Sequence, residues 1–128
     1  MTVFLPDTSV LIDTLNRKPA RTKLVRGLLS QGHSLACCVV TVGEIYAGMH
    51  PGEAADTEEF LSTLLWIDTH FVIARKAGAM RYEWARKGIT LSLTDTLIAA
   101  TALHYGLTLI TDNRKDFPMP ELKLHPLK

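Results

Sequence analysis

Leu91–Phe117 reads LSLTDTLIAATALHYGLTLITDNRKDF, and its punctuation decides the fold. Thr94 or Asp95 caps a helix running through Leu97, Ile98, Ala99, Ala102 and Leu103. The alanines let that helix pack closely on a sheet. Gly106 stops it. Leu107–Thr111 is then a short apolar run suited to a buried strand, and Asp112-Asn113 forms a turn. Helix, glycine, buried strand and turn make up half of a β-α-β unit. Acids stand at its break points: Asp95 at the helix start, Asp112 directly after the strand and Asp116 a little beyond.

Working outward, the same grammar repeats. Val3–Leu5 is a short apolar strand closed by Pro6-Asp7, and Asp7, Thr8 and Ser9 offer N-caps for a helix through Leu11, Ile12 and Leu15. A second helix spans about Ala20 to Ser30, with Leu24, Val25 and Leu28 inward. Leu35–Val40 reads as a strand covered on both faces. Thr41-Val-Gly-Glu44 has the spacing of a capping box opening a helix that runs to Met49 and breaks at Pro51-Gly52. Glu53–Glu59 opens another helix that ends near Leu65. Leu65–Asp68 is a short strand. Phe71–Arg86 is a helix with Ala74, Ala77, Tyr82 and Ala85 on or near its inner side, and Leu122–Leu124 a weak last strand. Strands alternating with helices predict an α/β fold of three layers, with a central, mainly parallel sheet of four to five strands. Residues 1–128 read as one domain, without repeat or linker.

Composition sets bounds on function. Hydrophobic residues make up 47% of the 128 and charged residues 21%, which is a globular balance with enough chain for a core. The net charge of +1 does not announce a nucleic-acid binder, so any such surface must be local. Two basic clusters qualify: Arg17, Lys18, Arg21, Lys23 and Arg26, and then Arg75, Lys76, Arg81, Arg86 and Lys87. Cys37 and Cys38 are adjacent, so in a strand they point to opposite faces and do not pair with each other. No zinc spacing occurs. The start of the chain lacks the basic region of a signal peptide, and no apolar run approaches the roughly 20 residues of a membrane span, so a reducing cytoplasm and no membrane are expected.

Each acid alone has a plain structural explanation: Asp7 and Asp95 as caps, Glu44 as part of a capping box, Asp112 as a turn residue and Asp116 as a surface acid. Together they say more. Ligands of open α/β sheets bind beyond the carboxyl ends of the strands. Asp7, Glu44, Asp95 and Asp112 all fall at that edge. Clustered carboxylates repel one another, and an all-oxygen set that needs a cation suits Mg²⁺ or Mn²⁺. Such an ion can acidify a water and neutralise a scissile phosphate. Thr8, Ser9, Thr94 and Thr111 are nearby hydroxyls that could orient water or phosphate, and Arg114 and Lys115 are nearby cations.

LPDTSVLID, TVGEIYAG, LTDTLIAATAL and TLITDNRKDF resemble, in order and spacing, the motifs of PIN-domain ribonucleases, and more narrowly the VapC-type toxins of bacterial toxin–antitoxin pairs. The resemblance covers Val3 to about Leu124. It implies a PIN-like fold and Mg²⁺- or Mn²⁺-dependent endonucleolytic hydrolysis of RNA, whether tRNA, rRNA or mRNA. By motif, Asp7 and Asp95 would be direct metal ligands, and Glu44 and a fourth acid would hold further metal or water. That fourth acid is Asp112 or Asp116, with Asp112 favoured for its place at the strand end. Thr8, Ser9, Thr111 and Arg114 would serve substrate or phosphate. The resemblance also implies a homodimer silenced by a VapB-type antitoxin in a heterotetramer or larger assembly, with the Leu11, Leu15, Leu24 and Leu28 stripe as a candidate antitoxin groove. Two other readings remain open on the residues alone. One is a receiver-like domain with Asp68 as phosphoacceptor, and the other is a non-catalytic binding module in which the acids are only caps.

Overall fold

The computed structural model describes residues 2–125. In chain order the elements are β1 (Val3–Pro6), α1 (Thr8–Leu15), α2 (Pro19–Ser30), β2 (Ser34–Cys38), α3 (Val39–Ala47), α4 (Ala54–Ser62), β3 (Leu65–Ile67), α5 (Phe71–Arg86), α6 (Leu93–Tyr105), β4 (Thr108–Ile110) and β5 (Lys123–His125). Single 3₁₀ turns at Pro51–Glu53 and Arg114–Asp116 precede α4 and follow β4. The five strands form one sheet in the order β3-β2-β1-β4-β5, and every pairing is parallel. The first strand therefore lies at the centre, between β2 and β4.

Alternation along the strands divides the core in two. Phe4, Leu35, Cys37 and Ile110 face one side, with Val10, Leu11, Val25, Leu28, Ile45 and Leu61 from α1 to α4. Leu5, Ala36, Cys38 and Leu109 face the other, where Ile98, Ala99 and Ala102 of α6 cover them. The small residues of α6 bring it close to the sheet, as LIAATA implied. On its far flank α6 carries α5 through Ile73, Ala77 and Ala100. Cys37 and Cys38 do point to opposite faces, and both are buried free thiols.

Several boundaries move. The second strand ends at Cys38, and Val39 and Val40 already belong to α3. Thr41 and Glu44 are thus not a capping box: Cys38 is the N-cap residue, without a side-chain cap bond, and Thr41 is buried inside the helix. The i, i+3 spacing of a capping box is also the spacing of one helical face, which is why the two cannot be told apart by pattern. Ser92, not Thr94 or Asp95, caps α6, with its Oγ accepting from the Asp95 N–H at 3.1 Å. The inner face of α5 is Ile73, Ala77, Met80 and Trp84, whereas Ala74, Tyr82 and Ala85 are exposed. Gly106 ends α6 in the left-handed conformation, φ 66°. Of the proposed groove stripe, Leu11 and Leu28 are core, while Leu15 and Leu24 are only partly buried. Among the described residues no helix is long and apolar enough to cross a membrane.

Candidate active site

Strand β1 delivers Asp7 to the carboxyl edge of the sheet at its centre. The Asp7 N–H continues the ladder to the Ile110 carbonyl at 2.9 Å, so the residue is locked to both β1 and β4. It caps α1 and is 5% exposed. One carboxylate oxygen accepts from Ser9 Oγ at 2.9 Å and from the Val10 N–H at 3.1 Å. The other accepts from Thr111 Oγ1, and that hydroxyl oxygen in turn accepts from the Asn113 N–H at 3.0 Å. A buried carboxylate with both oxygens oriented in this way is fixed in direction.

Helix α3 brings Glu44 to the same edge. The Thr8 hydroxyl donates to Glu44 Oε1 and lies 3.1 Å from the Thr41 hydroxyl. Thr41 also lies 3.6 Å from Cys38 Sγ, so a buried polar chain supports Glu44 from below. Thr8, Ser9 and Thr111, read from sequence as substrate groups, are therefore bonded to the acids themselves. Thr94 sits 3.4 Å from the Ser92 hydroxyl at the cap.

Helix α6 presents Asp95 in its first turn. The Asp95 carboxyl is pushed above the ordinary carboxylate range, first by burial and further by the negative charges of Asp116, Asp7 and Glu44, while the bond with Ser92 pulls it back in part. Asp7 follows β1, Glu44 lies in α3 and Asp116 in the 3₁₀ turn after β4, and the charge of each reaches Asp95 at the start of α6. Asp112 goes elsewhere. It is exposed, and its Oδ2 accepts from Arg21 Nη2 at 2.8 Å, in a network with Asp13 and Lys18. The charge of the half-buried Asp116 reaches Asp95, whereas Asp112, the acid favoured by its place at the strand end, is tied to α2. Arg114 is exposed in the 3₁₀ turn, and Asp68 is exposed after the edge strand β3, away from the central strands that carry the acids.

Among the described residues, no three His, Cys, Asp or Glu side chains are already gathered tightly enough to hold an ion. The donor chemistry nonetheless fits one. The set is all carboxylate, its negative charge is high enough to disturb Asp95, and the cations nearest in sequence, Arg114 and Lys115, are exposed. Sequence reasoning placed Arg21 in a basic cluster and Thr41 in a capping box, and passed over Ser92. Arg21 stands 91 positions from Asp112, and no local signal links them. Ser92 was legible, because Ser92-Leu-Thr-Asp95 has the capping-box spacing.

Comparison with known proteins agrees with this geometry. A family model for the PIN domain matches residues 4–119. The chain is 36% identical over 122 residues to Ribonuclease VapC19 of Mycobacterium tuberculosis, covering 93% of this chain and 96% of that protein. It is 31% identical over 121 residues to the tRNA(fMet)-specific endonuclease VapC of Shigella flexneri, covering 91% of each. Its fold superposes on a chain of VapBC2 from Rickettsia felis, solved with a DNA fragment from the promoter, with a TM-score of 0.85 at 26% identity over 99% of this chain and 100% of the other. The match to DNA-bound VapBC from Salmonella typhimurium gives 0.82 at 29% identity over 98% of each. With its central parallel sheet and this likeness over nearly its whole length, the chain belongs to the PIN-domain family, among the VapC ribonucleases.

Proposed function

We propose that the chain is a Mg²⁺- or Mn²⁺-dependent endoribonuclease, the toxin of a VapBC-type pair, acting on RNA in the cytoplasm and held inactive by a VapB-type antitoxin. One observation supports this above the others: Asp7 is buried at the carboxyl end of the central strand with both carboxylate oxygens held by hydroxyls, and Glu44 is held beside it by Thr8. A bound divalent ion would supply Lewis acidity and a more acidic water. Asp7 and Asp95 would hold the ion, with Glu44 and Asp116 orienting water. Thr111 and Ser9 keep Asp7 aimed, and Thr8 keeps Glu44 aimed. Asp112 stands outside this set, as the partner of Arg21.

For the antitoxin, the partly exposed Leu15 lies in a cleft with Ile12, Ile45 and Met49, rimmed by His50, Glu53 and Asp56, and this mixed lining suits an amphipathic helix. The solved relatives are VapBC proteins, which supports a paired and oligomeric assembly. The Shigella relative is specific for tRNA(fMet), so initiator tRNA is the first substrate to test. The experiment incubates the purified chain with tRNA, rRNA and mRNA, with Mg²⁺, with Mn²⁺ or after chelation. Discrete cleavage is expected with either ion, with none after chelation and none with a folded Asp7→Asn protein. Full cleavage after exhaustive chelation, or by Asp7→Asn, would refute the mechanism.

A further inference from the structure

Helix α5 repeats one pair of side chains twice along its outer face. Arg75 lies over the Phe71 ring, with Cζ 5.9 Å from the centroid, and Arg86 lies over the Tyr82 ring at 5.8 Å. The two pairs are offset by 11 residues, three helical turns, which sets them about 16 Å apart on the same side. That side is opposite Ile73, Ala77, Met80 and Trp84, the residues turned toward α6. Phe71 is 76% exposed and Tyr82 64%, so the rings stand in solvent. At the helix end Lys87 Nζ lies 4.5 Å from the Trp84 ring.

The charge on this helix is lopsided. Arg75, Lys76, Arg81 and Arg86 face a single acid in α5, Glu83, whereas the whole chain holds 14 basic residues against 13 acidic. A helix face that is merely solvated tends to alternate its charges in i, i+4 pairs. Here two of the three guanidiniums, Arg75 and Arg86, have an aromatic ring as their i, i+4 partner. The helix also leads to the acids: Arg81 Nε donates to the Leu91 carbonyl at 2.8 Å, and Asp95 follows four residues later in the first turn of α6.

We propose that the outer face of α5 is a docking strip for single-stranded RNA, binding the strand that flanks the bond cut at the acid cluster. This rests on the ribonuclease reading and adds to it the surface that holds substrate away from the cut. Flat, exposed rings accept bases of any sequence by stacking, and the guanidiniums beside them take the neighbouring phosphates. The charge excess selects this occupant over a second copy of the chain. A two-fold contact through α5 would set four cations and one acid against the same group.

The test uses the full-length chain made cleavage-deficient by Asp95→Asn, so that binding is read without turnover. Two double variants are built on it, Phe71→Ala/Arg75→Gln and Tyr82→Ala/Arg86→Gln. The probes are a fluorescein-labelled, unstructured oligoribonucleotide of about twelve nucleotides, within the site sizes of single-strand binders, and a trinucleotide. Each double variant is expected to weaken binding of the long probe by about tenfold, to lower the salt slope by about 0.7 for the lost cation, and to leave the trinucleotide unaffected. Photocrosslinking of 5-bromouridine RNA to the unsubstituted strip, mapped by mass spectrometry, should mark Phe71 and Tyr82 even if a variant folds poorly. Equal affinities and salt slopes, together with crosslinks confined to other segments, overturn the proposal. So does a variant that dissociates a dimer in sedimentation while keeping its RNA affinity, which would make α5 an interface between copies. Failure of the ribonuclease reading is separate, because it appears as absence of cleavage by the unsubstituted chain.

Discussion

Burial, Asp116, Asp7 and Glu44 push the Asp95 carboxyl up together, and this has a consequence for stability. Between the ordinary carboxylate range and the raised value, the folded chain binds more protons than the unfolded chain. Stability of the metal-free protein therefore falls as pH rises through that window, and the penalty persists at neutral pH. Asp95→Asn removes it. The variant is expected to melt a few degrees higher than the parent in chelator at pH 7, on the order of the shift a sub-kcal/mol change produces, while losing RNA cleavage by about a hundredfold or more. A variant that is both inactive and less stable would contradict the electrostatic account. Asp112 and Asp116 separate in the opposite way. Asp116→Asn is expected to lower kcat by at least about tenfold with little change in stability. Asp112→Asn should keep activity within a few-fold and cost about 1 kcal/mol in urea unfolding, because it leaves the largely buried Arg21 guanidinium without its closest partner. Cys37, pushed up to about 12 by burial with a further push from Cys38, takes no part in this chemistry. Its thiol should resist alkylation until the chain unfolds.

At the scale of elements, α6 does most to position the site, and its two ends are controlled by single residues. Ser92→Ala removes the bond that sets the first turn carrying Asp95, and Gly106→Ala forces a side chain into φ 66°. Each should cost about 1 kcal/mol by denaturant unfolding. Only Ser92→Ala should also lower activity, since Gly106 lies at the helix end remote from the acid. The order and type of elements were legible because β1, β3 and β4 are short apolar runs closed by Asp7, Asp68 and Asp112. What was not legible depended on packing. Val39 and Val40 look like strand residues, yet they start α3, because β3 pairs with β2 only from Ala36 to Cys38. The inner face of α5 was misread because small alanines occur all around that helix, whereas Ile73, Met80 and Trp84 mark the true contact with the core.

At the scale of the molecule, Asp7 and Asp95 stood out in the sequence as strand-end and helix-start residues, whereas Glu44 was read at a helix start and lies well inside α3. The long-range ion pair that ties Asp112 to Arg21 has no local pattern. If the acids hold an ion as proposed, binding favours the folded chain over the unfolded one. Mg²⁺ or Mn²⁺ should therefore raise Tm, with about 2.7 kcal/mol of stabilisation at an ion concentration one hundred times Kd. No rise in Tm with saturating Mn²⁺ would count against metal binding at these residues.

The central position of β1 also bears on how the chain is made. Phe4 pairs with Thr108, and Asp7 is held by Thr111, so the first strand stays unfinished on one side until nearly the whole polypeptide has emerged. A nascent chain leaves the ribosome N-terminus first, at about 5–20 residues per second. For most of that time it carries Asp7 and Glu44 but neither β4 nor the turn holding Asp116. Synthesis broken off at Tyr105 would release a fragment with Asp7, Glu44 and Asp95 that lacks β4 and cannot close the sheet around them. The carboxyl edge thus takes shape only once the stretch from Thr108 to Asp116 has joined the sheet.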